Sequence, residues 1–372
     1  MALFIGVTLL TLVMSYFCNN TTQVQLNMGT DKRKGAVVRS RQRVLNLWIC
    51  AGIYIILTAL SACRIASGND YWEYTEIFSL IAQYRPVATE TGFNWFVRGM
   101  QALFGREQYL PIFAVVSIAT VFFFVKSIYD QGEWFLGTMF LFLTNGYYFS
   151  SFNSIRYYLV LAIAMYTMKF VLKGEYGKFI VWICFAALFH KSVLLVIPVY
   201  LLAKWLAGIR FKLWHYVLGA VFVLSFVVCK DLYREIIFFF YEYYEGSAFD
   251  VTDYSLANIA KCLGTILLSA ICYKTGLKDN ERNRFYFFLN IGGLVLYTVG
   301  AFIPTVTRVA YYLIIGQVFL IPSLLMSMKD GIWKKLFIAG VALVFMAYFA
   351  LFLKNAYTMD IRLLPYLNWI FN

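Results

Sequence analysis

Charge is scarce in this sequence. Only 14% of its 372 residues are Asp, Glu, Lys or Arg, against about 25% in a soluble domain, while 62% are hydrophobic and 20% aromatic. So few charges cannot clothe a water-facing surface, which argues against a soluble globular protein. Histidine is scarcer still, with only His190 and His215. Because His215 falls at the start of an apolar run, a His-based metal site is disfavoured. The seven cysteines lie mostly in apolar segments with no C-x-x-C pair, so they read as small packed hydrophobes rather than disulfide or zinc partners. A P-loop, an H-E-x-x-H pair, a dinucleotide fingerprint and an internal repeat are all missing. No cofactor and no metal are expected.

What is present is a succession of apolar runs, each long enough for a bilayer core of roughly 30 Å. They lie at about 1–17, 44–62, 109–125, 134–150, 156–172, 179–203, 215–230, 256–273, 285–303, 310–328 and 336–353. The sequence therefore predicts an all-α polytopic membrane protein of about 10–12 transmembrane segments, folded as a single integral membrane domain over 1–372. The run 1–17 has no basic residue before it and no small-residue cleavage site after it, so it is expected to be a first span rather than a signal. The formal charge of +13 is concentrated in short loops between runs, as anionic lipid headgroups require, and does not point to nucleic acid.

Loop charge sets the topology. The stretch DKRKGAVVRSRQR holds six Lys/Arg against one Asp and is expected to be cytoplasmic, which puts the N-terminus and the segment 63–108 outside. The run 179–203 carries His190, Lys191 and Ser192 at its centre. Taken as one span, it would reverse the sign of every later loop. Taken as a broken, re-entrant-like hairpin, it leaves 19 Lys/Arg and 7 acids inside against 11 and 12 outside, with both termini external. Arms of about 11–12 residues reach some 16–18 Å, so the apex is expected in the outer half of the membrane. Broken helices at that depth line cavities and often mark binding sites. A plain kinked span at Pro198 is the competing reading.

Under this topology unusual polar residues collect on the external side. Asp70, Tyr74 and Glu90 lie in the 63–108 loop, which also carries an interfacial helix with Phe93, Phe96, Val97, Met100 and Phe104 on one face and Asn94, Arg98 and Gln101 on the other. Arg156 and Arg308 each start an apolar run, and with Lys191 they bring three cations to the side that insertion bias depletes. A guanidinium suits a phosphate or pyrophosphate. Each residue also has a plainer explanation: the arginines snorkelling to headgroups, His190 as a contact between helices, Asp70 as a helix cap, Glu90 as a solvated loop charge. The loop 231–255 contains FFFYEYYEGSAFDVTDY, an aromatic and acidic stretch that fits an interfacial belt or a surface for sugar rings equally well.

The order of motifs resembles the EpsG-like family of bacterial polysaccharide polymerases, related in role to Wzy. The matching words are G-N-D-x-x-x-Y at 68–74, Glu-x-Gly-Phe at 90–93, F-N-x-x-R-Y at 152–157, A-x-x-F-H-x-S-x-L-x-x-x-P at 186–198 and Arg308-x-x-Tyr311-Tyr312. The resemblance implies a GT-C-like glycosyltransferase in the bacterial inner membrane that joins undecaprenyl-pyrophosphate-linked oligosaccharide repeat units on its outer face. Undecaprenyl pyrophosphate is released, and a flippase and a chain-length regulator are implied as partners. Arg156, Lys191 and Arg308 are then candidates to hold the pyrophosphate, with Tyr74, Tyr157 and Ser192 lining the site. Asp70, Glu90 and His190 are candidates for the base, Asp70 being favoured by analogy to acidic residues in the first external loop of GT-C enzymes. A flippase for lipid-linked sugars, a membrane acyltransferase using His190, and a ligase acting on the finished glycan are the alternatives.

Overall fold

The computed structural model describes residues 1–18, 32–210, 212–240, 245–246, 252, 254–358 and 362–370, side chains excepted at 32–40, 216 and 240. Two compact units divide the chain: Met1–Phe170 with Tyr176–Leu194 and Lys329–Asn372, and Val171–Glu175 with Leu195–Met328.

The protein is an all-α polytopic membrane protein. Among the described residues, six helical segments are long and apolar enough to cross a bilayer: Arg41–Ala62, Leu110–Gln131, Ile155–Leu172, Lys191–Gly208, Val306–Ser327 and Ile332–Asn355. A seventh is added if the pair Leu213–Val228 and Lys230–Phe239, bent by 76°, counts as one span. Of the shorter apolar helices, Ala2–Tyr16, Phe135–Thr144 and Leu256–Ile271 fall on three more of the expected runs, and Tyr176–Ala187 shares the run 179–203 with Lys191–Gly208. The run expected at 134–150 is shortened because Asn145 ends one helix and Gly146, at φ +77°, starts the four-residue helix Tyr147–Ser150.

In the first unit, Ile155–Leu172 is apolar on every face and 72% buried, as a central helix must be, whereas Ile332–Asn355 is only 17% buried and presents Leu343, Val344 and Leu351 outward. Helix Lys32–Ala62 packs along Leu110–Gln131. The two are tied where the former ends. Arg64, fully buried, donates through Nη1 to the Ser61 carbonyl and, at 2.8 Å, to Ser117 Oγ, between the rings of Phe113 and Phe152. Burial pulls its pKa down to about 10, so it stays charged at neutral pH. Arg64–Ile65 also pairs antiparallel with Leu367–Asn368, fastening the last described residues to the start of the 63–108 segment.

That segment folds into two helices, Tyr71–Ala82 and Thr91–Phe104, packed on each other. Phe93, Val97 and Met100 are buried as their spacing predicts, but so is Gln101, while Phe104 is 53% exposed. Gln101 follows Val97 by four residues and so shares its face, and its Nε2 donates to the Phe78 carbonyl at 2.8 Å, which makes its burial tolerable.

The apolar run 179–203 is broken at the His-Lys-Ser word. Helix Tyr176–Ala187 ends, residues 188–190 turn, and a 3₁₀ turn Lys191–Leu195 leads into Val196–Gly208. The second arm is longer than the expected 11–12 residues, since Lys191–Gly208 spans 18. Within that helix the Lys204 ammonium reaches the Leu172 carbonyl at 3.2 Å and Glu281 at 2.7 Å.

The second unit is held by buried polar contacts of the kind that fasten helices in lipid. Gln317 Nε2 donates to Asn290 Oδ1 at 2.6 Å, Asn283 Nδ2 to Ser323 Oγ at 2.9 Å, and Tyr200 to the Tyr312 carbonyl at 2.6 Å.

Candidate functional site

The sequence motifs of the first unit dock in pairs, and each pair has a glycine at its seam. Gly68 lies against the 152–154 backbone so closely that a Cβ there would stand 2.8 Å from Asn153 Cα and 2.9 Å from the Phe152 carbonyl; its φ of +93° also favours glycine. This approach lets the Asp70 amide donate to Asn153 Oδ1 at 2.9 Å and Ser154 Oγ donate to Asp70 Oδ2 at 2.5 Å. G-N-D and F-N-S are thus two halves of one contact.

Glu-x-Gly-Phe meets the 186–190 stretch in the same way. A Cβ on Gly92 would stand 2.5 Å from Leu188 Cβ and 2.8 Å from its carbonyl oxygen, the oxygen that accepts from Phe93 N at 3.0 Å. The seam brings Glu90 to the turn after Ala187. Glu90 Oε1 lies 3.3 Å from His190 Nδ1 and accepts from the Lys191 amide at 3.0 Å, while Oε2 takes Nη1 of Arg156. One carboxylate therefore ties three parts of the chain together.

Asp70 and Glu90 both occupy the residue before a helix, where a carboxylate commonly takes its own helix's amides. Neither does so here. Both side chains are turned to other segments, so the plain capping role is not the one they perform.

The Arg156 guanidinium stands 5.4 Å from the Phe93 ring centroid and 5.9 Å from that of Tyr74, whose hydroxyl it also reaches. Its Nε is buried without a hydrogen-bond partner. Tyr157 is buried and meets the His190 ring edge-on at 6.0 Å. Lys191 is exposed and contributes its backbone amide to the cluster, and Ser192 is half-buried beside it. Burial opposes the charge on Glu90, but the hydrogen bond from His190, the Arg156 guanidinium and the Lys191 amide outweigh it and hold the carboxyl down at about 2. Such a group clamps cations and amides; it is a weak proton acceptor near neutrality.

The structure thus brings Asp70, Tyr74, Glu90, Arg156, Tyr157, His190, Lys191 and Ser192 into one unit. Arg308 belongs to the second unit, as the third residue of helix Val306–Ile314, and its role stays where the sequence left it. The aromatic and acidic stretch within 231–255 lies largely outside the described residues. Among the described residues, no three His, Cys, Asp or Glu side chains gather in a way that would hold a metal ion.

The EpsG family model matches residues 47–368, a stretch that holds every one of these groups. The chain belongs to the EpsG family. Membership supports a role in polysaccharide biosynthesis for this multi-pass membrane protein. No curated protein and no solved structure matches the chain.

Sequence reasoning singled out most of this cluster but passed over four residues that build it. Asn153 stands in F-N-x-x-R-Y only as a letter of the word and Ser154 only as a spacer, although both hold Asp70. Gly68 and Gly92 were read as parts of words rather than as the contact points between them. The available signal was that each glycine stands two residues from a carboxylate.

Proposed function

We propose that this protein is a repeat-unit polymerase. It transfers the glycan from one polyprenyl-pyrophosphate-linked oligosaccharide to a hydroxyl of another, on the outer face of the bacterial inner membrane. The observation that supports this reading is the cluster of Arg156, Glu90 and His190 beside Asp70. It is a site with a cation suited to pyrophosphate and a second carboxylate positioned by Ser154, in a chain of the EpsG family.

The acceptor hydroxyl oxygen forms the new glycosidic bond to the anomeric carbon as the bond from that carbon to the pyrophosphate oxygen breaks. The bonding pair leaves with the pyrophosphate, and the hydroxyl proton passes to Asp70. Ser154 holds one Asp70 oxygen, orienting the other toward the acceptor. Charge developing on the leaving pyrophosphate is met by Arg156, already fixed by Glu90 and by the Tyr74 and Phe93 rings, so little reorganisation accompanies the reaction. Glu90 keeps Arg156 and the 190–191 turn in register. His190, in reach of Glu90, orients that turn and presents its other ring nitrogen to the substrate.

The test is the glycan ladder of cells lacking the gene, complemented with wild type, Arg156→Ala or His190→Ala. The expected result is export of single repeat units with the long-chain ladder lost in the deletion and in both variants, at unchanged protein levels. Absence of any exported unit would instead identify a flippase, and an unchanged ladder would remove the polymerase reading.

A further inference from the structure

A second cationic site stands at the other end of the same two helices. Asp70 and Glu90 precede the N-termini of Tyr71–Ala82 and Thr91–Phe104, whereas a cavity of about 120 Å³, open to the surface, lies where those helices end. Its wall includes Tyr84, Arg98, Gln101 and Arg106. At 1.5 Å per residue it is roughly 17 Å along the helix from Asp70, so it is separate from the cluster described above.

Three observations mark it as built for a ligand. First, both guanidinium groups are exposed and neither has an ion-pair or hydrogen-bond partner among the described residues; Arg98 is held only by the ring of Tyr84, 5.0 Å from its centroid. Second, Tyr84 adopts φ +59°, a left-handed conformation that costs a tyrosine roughly 1–2 kcal/mol. The strain is imposed at the residue that supports Arg98, and strained residues collect at ligand clamps. Third, the surroundings are those of a membrane surface: Trp95, Leu103 and Phe104 on helix Thr91–Phe104 are 70%, 78% and 53% exposed. Aromatic and apolar side chains exposed beside arginines suit the headgroup layer, where phosphate is the abundant anion.

We propose that this cavity binds the phosphate group of an anionic amphiphile lying at the membrane surface, with Arg98 and Arg106 as its ligands and Tyr84 as the platform that aims Arg98. Two planar guanidinium groups offer paired N–H donors to phosphate oxygens, and Gln101, held by the Phe78 carbonyl, closes the inner wall. The phosphate comes either from a bilayer phospholipid or from a polyprenyl carrier. The proposal does not rest on the polymerase reading, since a phosphate subsite serves any protein that works on or among such lipids.

The experiment is native mass spectrometry of the purified full-length protein in nonionic detergent. It is titrated separately with phosphatidylglycerol, a polyprenyl phosphate and phosphatidylcholine. The wild type is expected to retain at least one of the two anionic amphiphiles in preference to phosphatidylcholine, and the variant carrying both Arg98→Gln and Arg106→Gln to bind it about tenfold more weakly. Loss of phosphatidylglycerol alone assigns the site to bilayer lipid, and loss of the polyprenyl phosphate alone assigns it to the carrier. Unchanged retention in the double variant, or no preference in the wild type, overturns the proposal. So does an equal loss in Arg85→Gln, whose cation is near in sequence but does not line the cavity. Because both arginines are exposed, the double variant should elute as the wild type does, and its glycan ladder reports separately on the polymerase reading.

Discussion

Replacing Glu90 by glutamine is the sharpest test of the clamp. The side chain keeps its shape and loses its charge, so the cost is the interaction of that charge with Arg156, His190 and the Lys191 amide. The carboxyl falls from its ordinary 4.5 to about 2. At 1.36 kcal/mol per unit, that difference is worth about 3 kcal/mol, and screening at its exposed edge brings the expected loss to about 2 kcal/mol. For a chain of 372 residues that is a fall of about 3 °C in Tm. The folded-state pKa is depressed, so the stabilisation is complete above about 4.5 and disappears as pH falls through about 2. Scanning fluorimetry of purified wild type and Glu90→Gln should show a gap that is flat from pH 8 to pH 5 and narrows only below about pH 4.5. Adding Arg156→Gln to Glu90→Gln should lower Tm by less than the two singles together, because they remove the same contact. A gap that closes near pH 6 or 7 would mean that Glu90 titrates as a general base, and additive losses would mean that the ion pair is not formed in solution.

Gly92→Ala should abolish the long-chain ladder, since its Cβ would meet the Leu188 backbone at 2.8 Å, while Gly99→Ala in the same helix, with nothing within 4 Å, should leave the ladder intact and raise Tm slightly. Equal effects of the two would show that the Gly92 seam is not where the motifs dock. Asn153→Ala removes the acceptor of the Asp70 amide and should lower Tm by about 1 °C, corresponding to about 1 kcal/mol, and shorten the glycan; Asn153→Asp, which keeps an acceptor, should restore both. Arg156→Lys should return only part of the ladder lost in Arg156→Ala, because a point charge replaces a planar fork held between the Phe93 and Tyr74 rings. Full recovery would leave charge alone as the requirement.

The architecture was legible because hydrophobic runs and loop charge are local quantities. Arg156 and His190 were legible for the same reason, as polar words in otherwise apolar stretches. The partners of Asp70 and Glu90 were not, because which oxygen meets which amide depends on how far two backbones close, and that distance is set by the absence of a Cβ on Gly68 and Gly92. Gln101 misled for a related reason: its polarity placed it outside, while a carbonyl one helix away gave it a place inside. The 179–203 run shows both sides. Its break at His190 followed from the residues, but the helical length after the break, 18 residues over Lys191–Gly208, did not.

Glu90 also dates the site within the life of the chain. Its partners arrive late: Arg156 follows it by 66 residues and the Lys191 amide by 101. At roughly 5–20 residues per second, a ribosome needs about 5–20 s between making the carboxylate and making the last donor that holds it. Through that interval the helix Thr91–Phe104 has left the insertion machinery with its anchor unmet, and Arg156 enters the membrane before the turn that will flank it exists. The cluster is thus a closing event of biogenesis. A chain halted before residue 190 would carry every carboxylate of the site and Arg156 with it, but not the turn that completes the hold on Glu90.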